Sequence, residues 1–124
     1  MRHVCPFGEV AAFYSGDEGE SWSSPVLLSD SLLDSRDAGI CVSGNQVLLT
    51  TFTSGKAVQK KYMDMWYRYG GLKNENDLIE AYLNLIDEKT ETEQLGSFVM
   101  QGNGYRFGER KRVFGDLSAP HGAF

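Results

Sequence analysis

An eight-residue turn near the start of the chain constrains its fold more than any other feature. The segment Ser15–Trp22 reads SGDEGESW and lies between two stretches of strand-forming residues. Asp17 is placed to accept hydrogen bonds from backbone N–H groups of the turn, and Gly19 supplies a backbone conformation that other residues avoid. The Trp22 ring is expected to staple the turn to the sheet below it. The segment therefore predicts a β-hairpin locked by a carboxylate and an indole.

Three pairs of strand-like segments follow from the alternation of apolar residues and turn residues. The pairs are 8–15 with 22–28, 37–42 with 46–53, and 96–101 with 105–114. The second pair turns at Ser43-Gly44-Asn45 and the third at Gly102-Asn103-Gly104, both typical of hairpins. The second pair is almost continuously apolar, which predicts burial on both of its faces.

The amino-acid composition changes between residues 55 and 94, where charged and helix-favouring residues predominate. Apolar residues recur at helical spacing across 76–89, and Asn76 is suited to cap that helix. We therefore predict a helical insertion at 55–94 between two strands.

Composition narrows the possible partners. The 124 residues carry a formal net charge of −5, which argues against a nucleic-acid backbone as partner. The short basic run 110–112 is expected to be a solvated strand face. No apolar run approaches the ~20 residues of a membrane span, and the first residues lack the apolar region of a signal peptide.

The two cysteines predict neither a metal site nor a redox motif. Cys5 and Cys41 lie in unrelated segments and form no CxxC pair, whereas zinc needs more ligands at closer spacing. Two free thiols are favoured over a disulfide. We expect no metal and no cofactor.

The turn also resembles a known motif. SGDEGESW fits the pattern S-x-D-x-G-x-[ST]-W at all its fixed positions, and this pattern is the Asp-box, or BNR repeat, of the sialidase superfamily. The matching residues are Ser15, Asp17, Gly19, Ser21 and Trp22. Two further segments, Asp34–Ile40 and Ala119–Gly122, resemble the Arg-Asp and Pro-His-Gly segments that open inner strands in sialidase-like proteins.

The resemblance implies an all-β fold, namely part of a six-bladed β-propeller with four-stranded antiparallel blades and a helical insertion. The interval from Ser15 to the similar turn at Gly102 is roughly 47 residues without the insertion, close to the ~40–50 of one blade. The implied division is 1–33 as the outer half of one blade, 34–117 as a second blade with its insertion at 55–94, and 118–124 as the start of a third.

In such propellers the Asp-box is structural, and the inner strands and the loops that open them line the sugar pocket. The resemblance therefore points to Glu9 and Asp37 as candidate catalytic carboxylates, although the family has Asp where this chain has Glu9. Arg36 is a candidate ligand for an anionic sugar group, because a guanidinium fork binds two oxygens at once. His121 and, more weakly, His3 are candidate substrate-binding residues.

Each candidate has a structural alternative. Glu9 is also suited to be an ordinary strand-edge carboxylate, and Asp37 to be an ion-pair partner of Arg36. Arg36 itself suits a purely structural ion pair, and His121 a satisfied core histidine.

The implied function is that of a fragment of an exo-acting glycoside hydrolase that releases terminal sialic acid or a related sugar. The chain alone is expected to be inactive, since sialidases also use further arginines and a Tyr–Glu pair. Its expected partners are a glycan and the remaining propeller blades. The alternatives are a non-catalytic Asp-box propeller that binds glycan or protein, and an independently folded small β domain with a helical insertion.

Overall fold

The computed structural model describes residues 5–68 and 73–115. The chain forms six strands and three helices in these ranges. In chain order they are β1 (Val10–Ala12), β2 (Val26–Ser29), β3 (Asp34–Ser43), β4 (Gln46–Ser54), α1 (Lys56–Arg68), α2 (Lys73–Leu85), α3 (Glu88–Gln94), β5 (Gly96–Gly102) and β6 (Lys111–Phe114). His3 and His121 lie outside the described residues.

The strands form two antiparallel sheets. Strands β1 and β2 pair across the SGDEGESW turn, and the other sheet has the order β3-β4-β5-β6. All three predicted hairpins are confirmed, and the three helices fall between β4 and β5, where the insertion was predicted. Neither sheet closes on itself within the described part of the chain. The structure is thus a set of antiparallel sheets interrupted by a helical insertion.

The register fixes which side chains share a face of the larger sheet, because directly paired residues point to the same side. Ser35 pairs with Thr53, whereas Arg36 pairs with Phe52 and Asp34 with Ser54. Ser35 and Thr53 therefore lie on one face, and Asp34 and Arg36 lie on the opposite face.

The predicted burial of both faces is confirmed for the second half of β4, residues 51–54, and is wrong for most of β3 and for the start of β4. Ile40 and Val42 are exposed on β3, and Leu48 is exposed on β4. Strand β3 is the edge of its sheet, so its apolar side chains have a neighbouring strand on one side only.

The helical insertion encloses the largest apolar core of the described chain. Its buried side chains are Leu33, Met63, Ile79, Leu83 and Ile86. Four of these come from the insertion, but Leu33 comes from the connector between β2 and β3. The insertion is therefore fastened to the sheets through that connector.

Polar contacts reinforce the same attachment. The Leu32 N–H donates to Gln94 Oε1 at 2.8 Å, and the Tyr82 hydroxyl donates to the Leu32 carbonyl at 2.9 Å. At the entry to α1, the Lys56 N–H donates to Glu91 Oε1 at 2.7 Å. The Gln59 side-chain amide donates to the Ser54 carbonyl at 2.8 Å, so the insertion contacts both the connector and the end of β4.

The single helix predicted at 76–89 is wrong, because two helices share this range. Helix α2 begins at Lys73, so Asn76 lies inside it instead of capping it. Asp87 then adopts an extended backbone and caps α3, accepting a hydrogen bond from the Thr90 N–H at 2.8 Å. A side-chain cap of this kind favours the start of a new helix at this point. None of the described helices has the length and apolar character needed to cross a bilayer.

Candidate functional site

The SGDEGESW turn is held together by the carboxylate of Asp17. Its Oδ1 accepts hydrogen bonds from the Ser21 N–H and the Ser15 hydroxyl, both at 2.9 Å, and its Oδ2 accepts from the Ser21 hydroxyl at 2.5 Å. Ser15 Oγ accepts in turn from the Gly19 N–H at 2.7 Å. Donors from Ser21 and Ser15 favour the ionised form and lower the pKa of Asp17 to about 2.

Trp22 closes its own turn, and the prediction that it staples the turn to the sheet below is wrong. Its indole Nε1 donates to the Gly19 carbonyl at 3.0 Å, and its side chain is 63% exposed. Gly19 adopts a φ of 95°, which favours glycine. A Cβ added at Gly19 would lie 3.7 Å from the indole ring. The ring therefore packs over Gly19 and leaves its other face to solvent.

The β5–β6 turn is also stabilised by a side-chain oxygen that accepts backbone hydrogen bonds, but with fewer bonds than Asp17 makes. Asn103 Oδ1 accepts hydrogen bonds from the Tyr105 and Arg106 N–H groups, both at 3.1 Å. The Tyr105 ring stacks on Tyr14 of the first hairpin, with 6.2 Å between ring centroids. The two turns thus lie side by side on one edge of the structure.

The candidate site is a cleft of about 400 Å³ beside β1 and the first half of β3. It is lined by Cys5, residues 8–11 and residues 34–38. Glu9, Arg36 and Asp37, three of the predicted site residues, all lie in this lining. Glu9 and Asp37 are exposed, and Arg36 is half-buried. The structure therefore brings together three residues that are 28 positions apart at their extremes.

Asp34 is the site residue that sequence reasoning missed. It is only 1% exposed, and its Oδ2 lies 2.7 Å from Nη2 of Arg36. Burial raises the pKa of the Asp34 carboxyl, and the positive charge of Arg36 opposes that rise. The period of two along β3 was the available signal, since it places Asp34 and Arg36 on one face.

Asp37 lies where β3 departs from regular pairing. The register shifts between Arg36 and Gly39, and Asp37 adopts a φ of 50°. A non-glycine residue in this left-handed region marks local backbone strain, which is common at ligand-binding positions. This irregularity changes the direction of β3 where the strand borders the cleft.

The cleft combines one guanidinium with three carboxyl groups, two exposed and one buried. Arg36 suits an anionic ligand, and the exposed carboxyl groups of Glu9 and Asp37 belong to the same lining. Within residues 5–68 and 73–115, no group of three or more His, Cys, Asp and Glu side chains is arranged to hold a metal ion. Cys5 and Cys41 are free thiols, as predicted.

Arg110 forms a second polar centre, between the two sheets. Its Nη1 donates to Ser29 Oγ at 3.1 Å and to Thr53 Oγ1 at 3.4 Å, and its guanidinium lies 3.8 Å from the centroid of the Phe98 ring. Burial and the nearby Arg112 lower the pKa of Arg110. The prediction of a solvated basic face is therefore wrong for Arg110, whose partners come from distant parts of the chain.

Comparison with known proteins adds no relative to this description. No family model, no curated protein and no solved structure matches the chain. The SGDEGESW turn and the cleft between β1 and β3 are therefore the features that bear on function.

Proposed function

We propose that this chain is part of a sialidase-type β-propeller whose parent protein is an exo-acting glycoside hydrolase that releases terminal sialic acid or a related sugar. One observation carries the proposal: Glu9, Arg36 and Asp37, selected from their positions around the Asp-box, line a single cleft. Arg36 and Asp37 are neighbours in the sequence, so the supporting fact is that Glu9, 27 positions before Arg36, belongs to the same lining.

The architecture supports the propeller part of this proposal. The β1–β2 hairpin corresponds to the outer half of one blade, and β3–β6 to a complete four-stranded blade. Ile40, Val42 and Leu48 are exposed on the larger sheet, and they include both of its faces. Blades of a propeller pack face to face, so these apolar side chains lie where neighbouring blades would cover them.

The chemistry proposed for the cleft follows from its three residues. Arg36 binds the carboxylate of the sugar with its planar fork of N–H donors. Glu9 and Asp37 are the candidates for protonating the leaving oxygen and activating water. Further arginines and the nucleophile come from other blades, so we expect the isolated chain to lack turnover.

The test is hydrolysis of a fluorogenic sialoside by the parent protein. We expect Glu9→Gln or Asp37→Asn to lower kcat by about 10²-fold or more, as for loss of a general acid or base. Glu20→Gln, which alters an exposed carboxylate of the outer turn, is the matched control and is expected to leave kcat unchanged. Equal, small effects of all three substitutions would remove the catalytic assignment.

A non-catalytic propeller that binds glycan is the second candidate function. The observation that favours it is Glu9 itself, which stands where sialidases have Asp. Absence of sialoside turnover by the parent, together with glycan binding that Arg36→Lys weakens and Arg106→Lys does not, would select this alternative.

A further inference from the structure

We propose that Asp34 is a positioning residue that fixes the Arg36 guanidinium in the cleft, so that Arg36 is oriented in advance to receive the carboxylate of an acidic sugar. The identity of the ligand rests on the proposed function. The positioning itself stands on the geometry of Asp34 and Arg36 alone.

Asp34 is too deeply buried to act on a ligand directly. It is 1% exposed, whereas the Arg36 side chain, on the same face of β3, is 18% exposed. Asp34 Oδ2 and Arg36 Nη2 lie 2.7 Å apart and form an ion pair. A guanidinium carries five N–H donors in one rigid plane, so an ion pair at one nitrogen restricts the movement of the whole plane.

The carboxylate of Asp34 is itself held in place from the other side. The Cys5 N–H donates to it, and Gly8 packs so closely on Oδ1 that a Cβ at this position would collide with it. The Gly8 carbonyl accepts the Ser35 N–H at 3.0 Å, and the Gly8 N–H donates to the Cys5 carbonyl at 2.9 Å. The segment before β1 and the start of β3 therefore clamp Asp34 between them.

Stability alone does not account for such a pair. Removing two charges from water costs free energy that their attraction recovers only in part, so buried ion pairs are commonly no more stable than apolar replacements. This pair lies at the wall of the cleft, next to the strained backbone of Asp37. Burial at a cleft wall, rather than in a core, indicates a role in orienting Arg36.

Arg36 is the only described cation in the lining of the cleft, which also carries the carboxylates of Glu9 and Asp37. The orientation of the Arg36 guanidinium therefore decides whether the cleft can bind an anion. A guanidinium free to rotate would present its charge without the two parallel donors that a carboxylate requires.

Nitrogen-15 NMR of the arginine side chains tests the positioning on this chain. In the unsubstituted chain, we expect slow rotation of the Arg36 guanidinium, with resolved Nη signals. Asp34→Asn removes the charge and keeps the shape, and we expect it to speed this rotation about tenfold or more. Glu9→Gln, an exposed carboxylate of the same cleft, is the control and is expected to leave the rotation unchanged. Unchanged rotation in Asp34→Asn would overturn the inference.

A second variant covers the case in which Asp34→Asn does not fold. Arg36→Gln leaves Asp34 buried without its counter-charge, with the Cys5 N–H and the negative charge of Asp37 acting on it. The pKa of Asp34, followed through its carboxyl carbon signal, should then rise further. A pKa that stays where it was would show that Asp34 and Arg36 are not coupled.

The ligand is tested separately, by adding N-acetylneuraminic acid or its methyl ester to the parent protein. We expect the acid to shift the Arg36 Nε–Hε signal and the ester not to, and Asp34→Asn to weaken binding of the acid about tenfold. Equal binding of acid and ester, with rotation still governed by Asp34, would refute the acidic-sugar function and leave the positioning intact.

Discussion

Replacing Leu33 with alanine tests whether the sheets and the helical insertion form one cooperative unit. Leu33 is 0% exposed and packs in the insertion core, although it belongs to the β2–β3 connector. Leucine-to-alanine changes at buried sites cost about 2–5 kcal/mol, depending on how far the cavity collapses. Here the connector is pinned by the bonds of Leu32 to Gln94 and Tyr82, which limits collapse. We therefore expect about 3–4 kcal/mol.

This loss is large compared with the whole stability of a small domain, about 5–15 kcal/mol. With a urea dependence of about 1–3 kcal/mol per molar, the unfolding midpoint should fall by about 1–4 M. Leu32→Ala is the matched control. Leu32 is 47% exposed, so we expect it to cost less than about 1 kcal/mol.

Amide hydrogen exchange shows which elements lose stability in Leu33→Ala. If the two parts fold together, Leu33→Ala should lower protection equally in α2 and in β5. Loss of protection in α2 with β5 unchanged would refute the single cooperative unit, as would a cost no greater than that of Leu32→Ala. Leu33→Val, which removes one methylene, should give about 1 kcal/mol and keeps the comparison measurable if the alanine variant is too unstable.

Two further predictions concern the polar centres. The pKa of Asp17 lies near 2 against a usual 3.8, so the stabilisation from its ionised form is present above pH 3.8 and is lost as the pH falls through 2. The difference in urea midpoint between the unsubstituted chain and Asp17→Asn should therefore shrink steadily from pH 6 to pH 2. A difference that stays constant over this range would contradict the stabilising role of the Asp17 carboxylate. Arg110→Met keeps an apolar stem but loses the hydrogen bond to Ser29 and the stacking on Phe98, so we expect it to lower the free energy of unfolding by about 1–3 kcal/mol in thermal unfolding. The exposed Arg106→Met is the control and should change it by no more than about 0.5 kcal/mol. Equal effects would show that Arg110 contributes no more than a surface charge.

The sequence predicts best what is decided locally. The three hairpins follow from turns whose glycines and amide or carboxylate side chains favour tight reversals, and each is present where the pattern indicated it. The hydrogen bonds of Asp17 follow from the same chemistry, because its partners lie within four residues. The convergence of Glu9 on Arg36 and Asp37 was anticipated only through the resemblance to sialidases.

The errors arise where distant residues decide the outcome. Helix periodicity continues past Leu85, but the cap at Asp87 and packing of Ile86 divide the segment into two helices. The sequence predicts a surface cation at Arg110, but hydrogen bonds to Ser29 and Thr53, which are distant in the sequence, hold it between the sheets. The local sequence pattern gives no indication of such long-range contacts.

Asp17 and Asp34 show how the fold places two aspartates in opposite environments. Asp17 is exposed and surrounded by donors, so its ionised form stabilises the turn. Asp34 is buried and its pKa is raised, so its contribution to stability is complete below pH 3.8 and is lost as the pH rises through its folded value. Because burial raises its pKa, the Asp34 carboxyl beside Arg36 opposes folding more as the pH rises above 3.8. A carboxylate kept at that cost, where an apolar side chain would fill the space, points to the orientation of Arg36 as what the site requires.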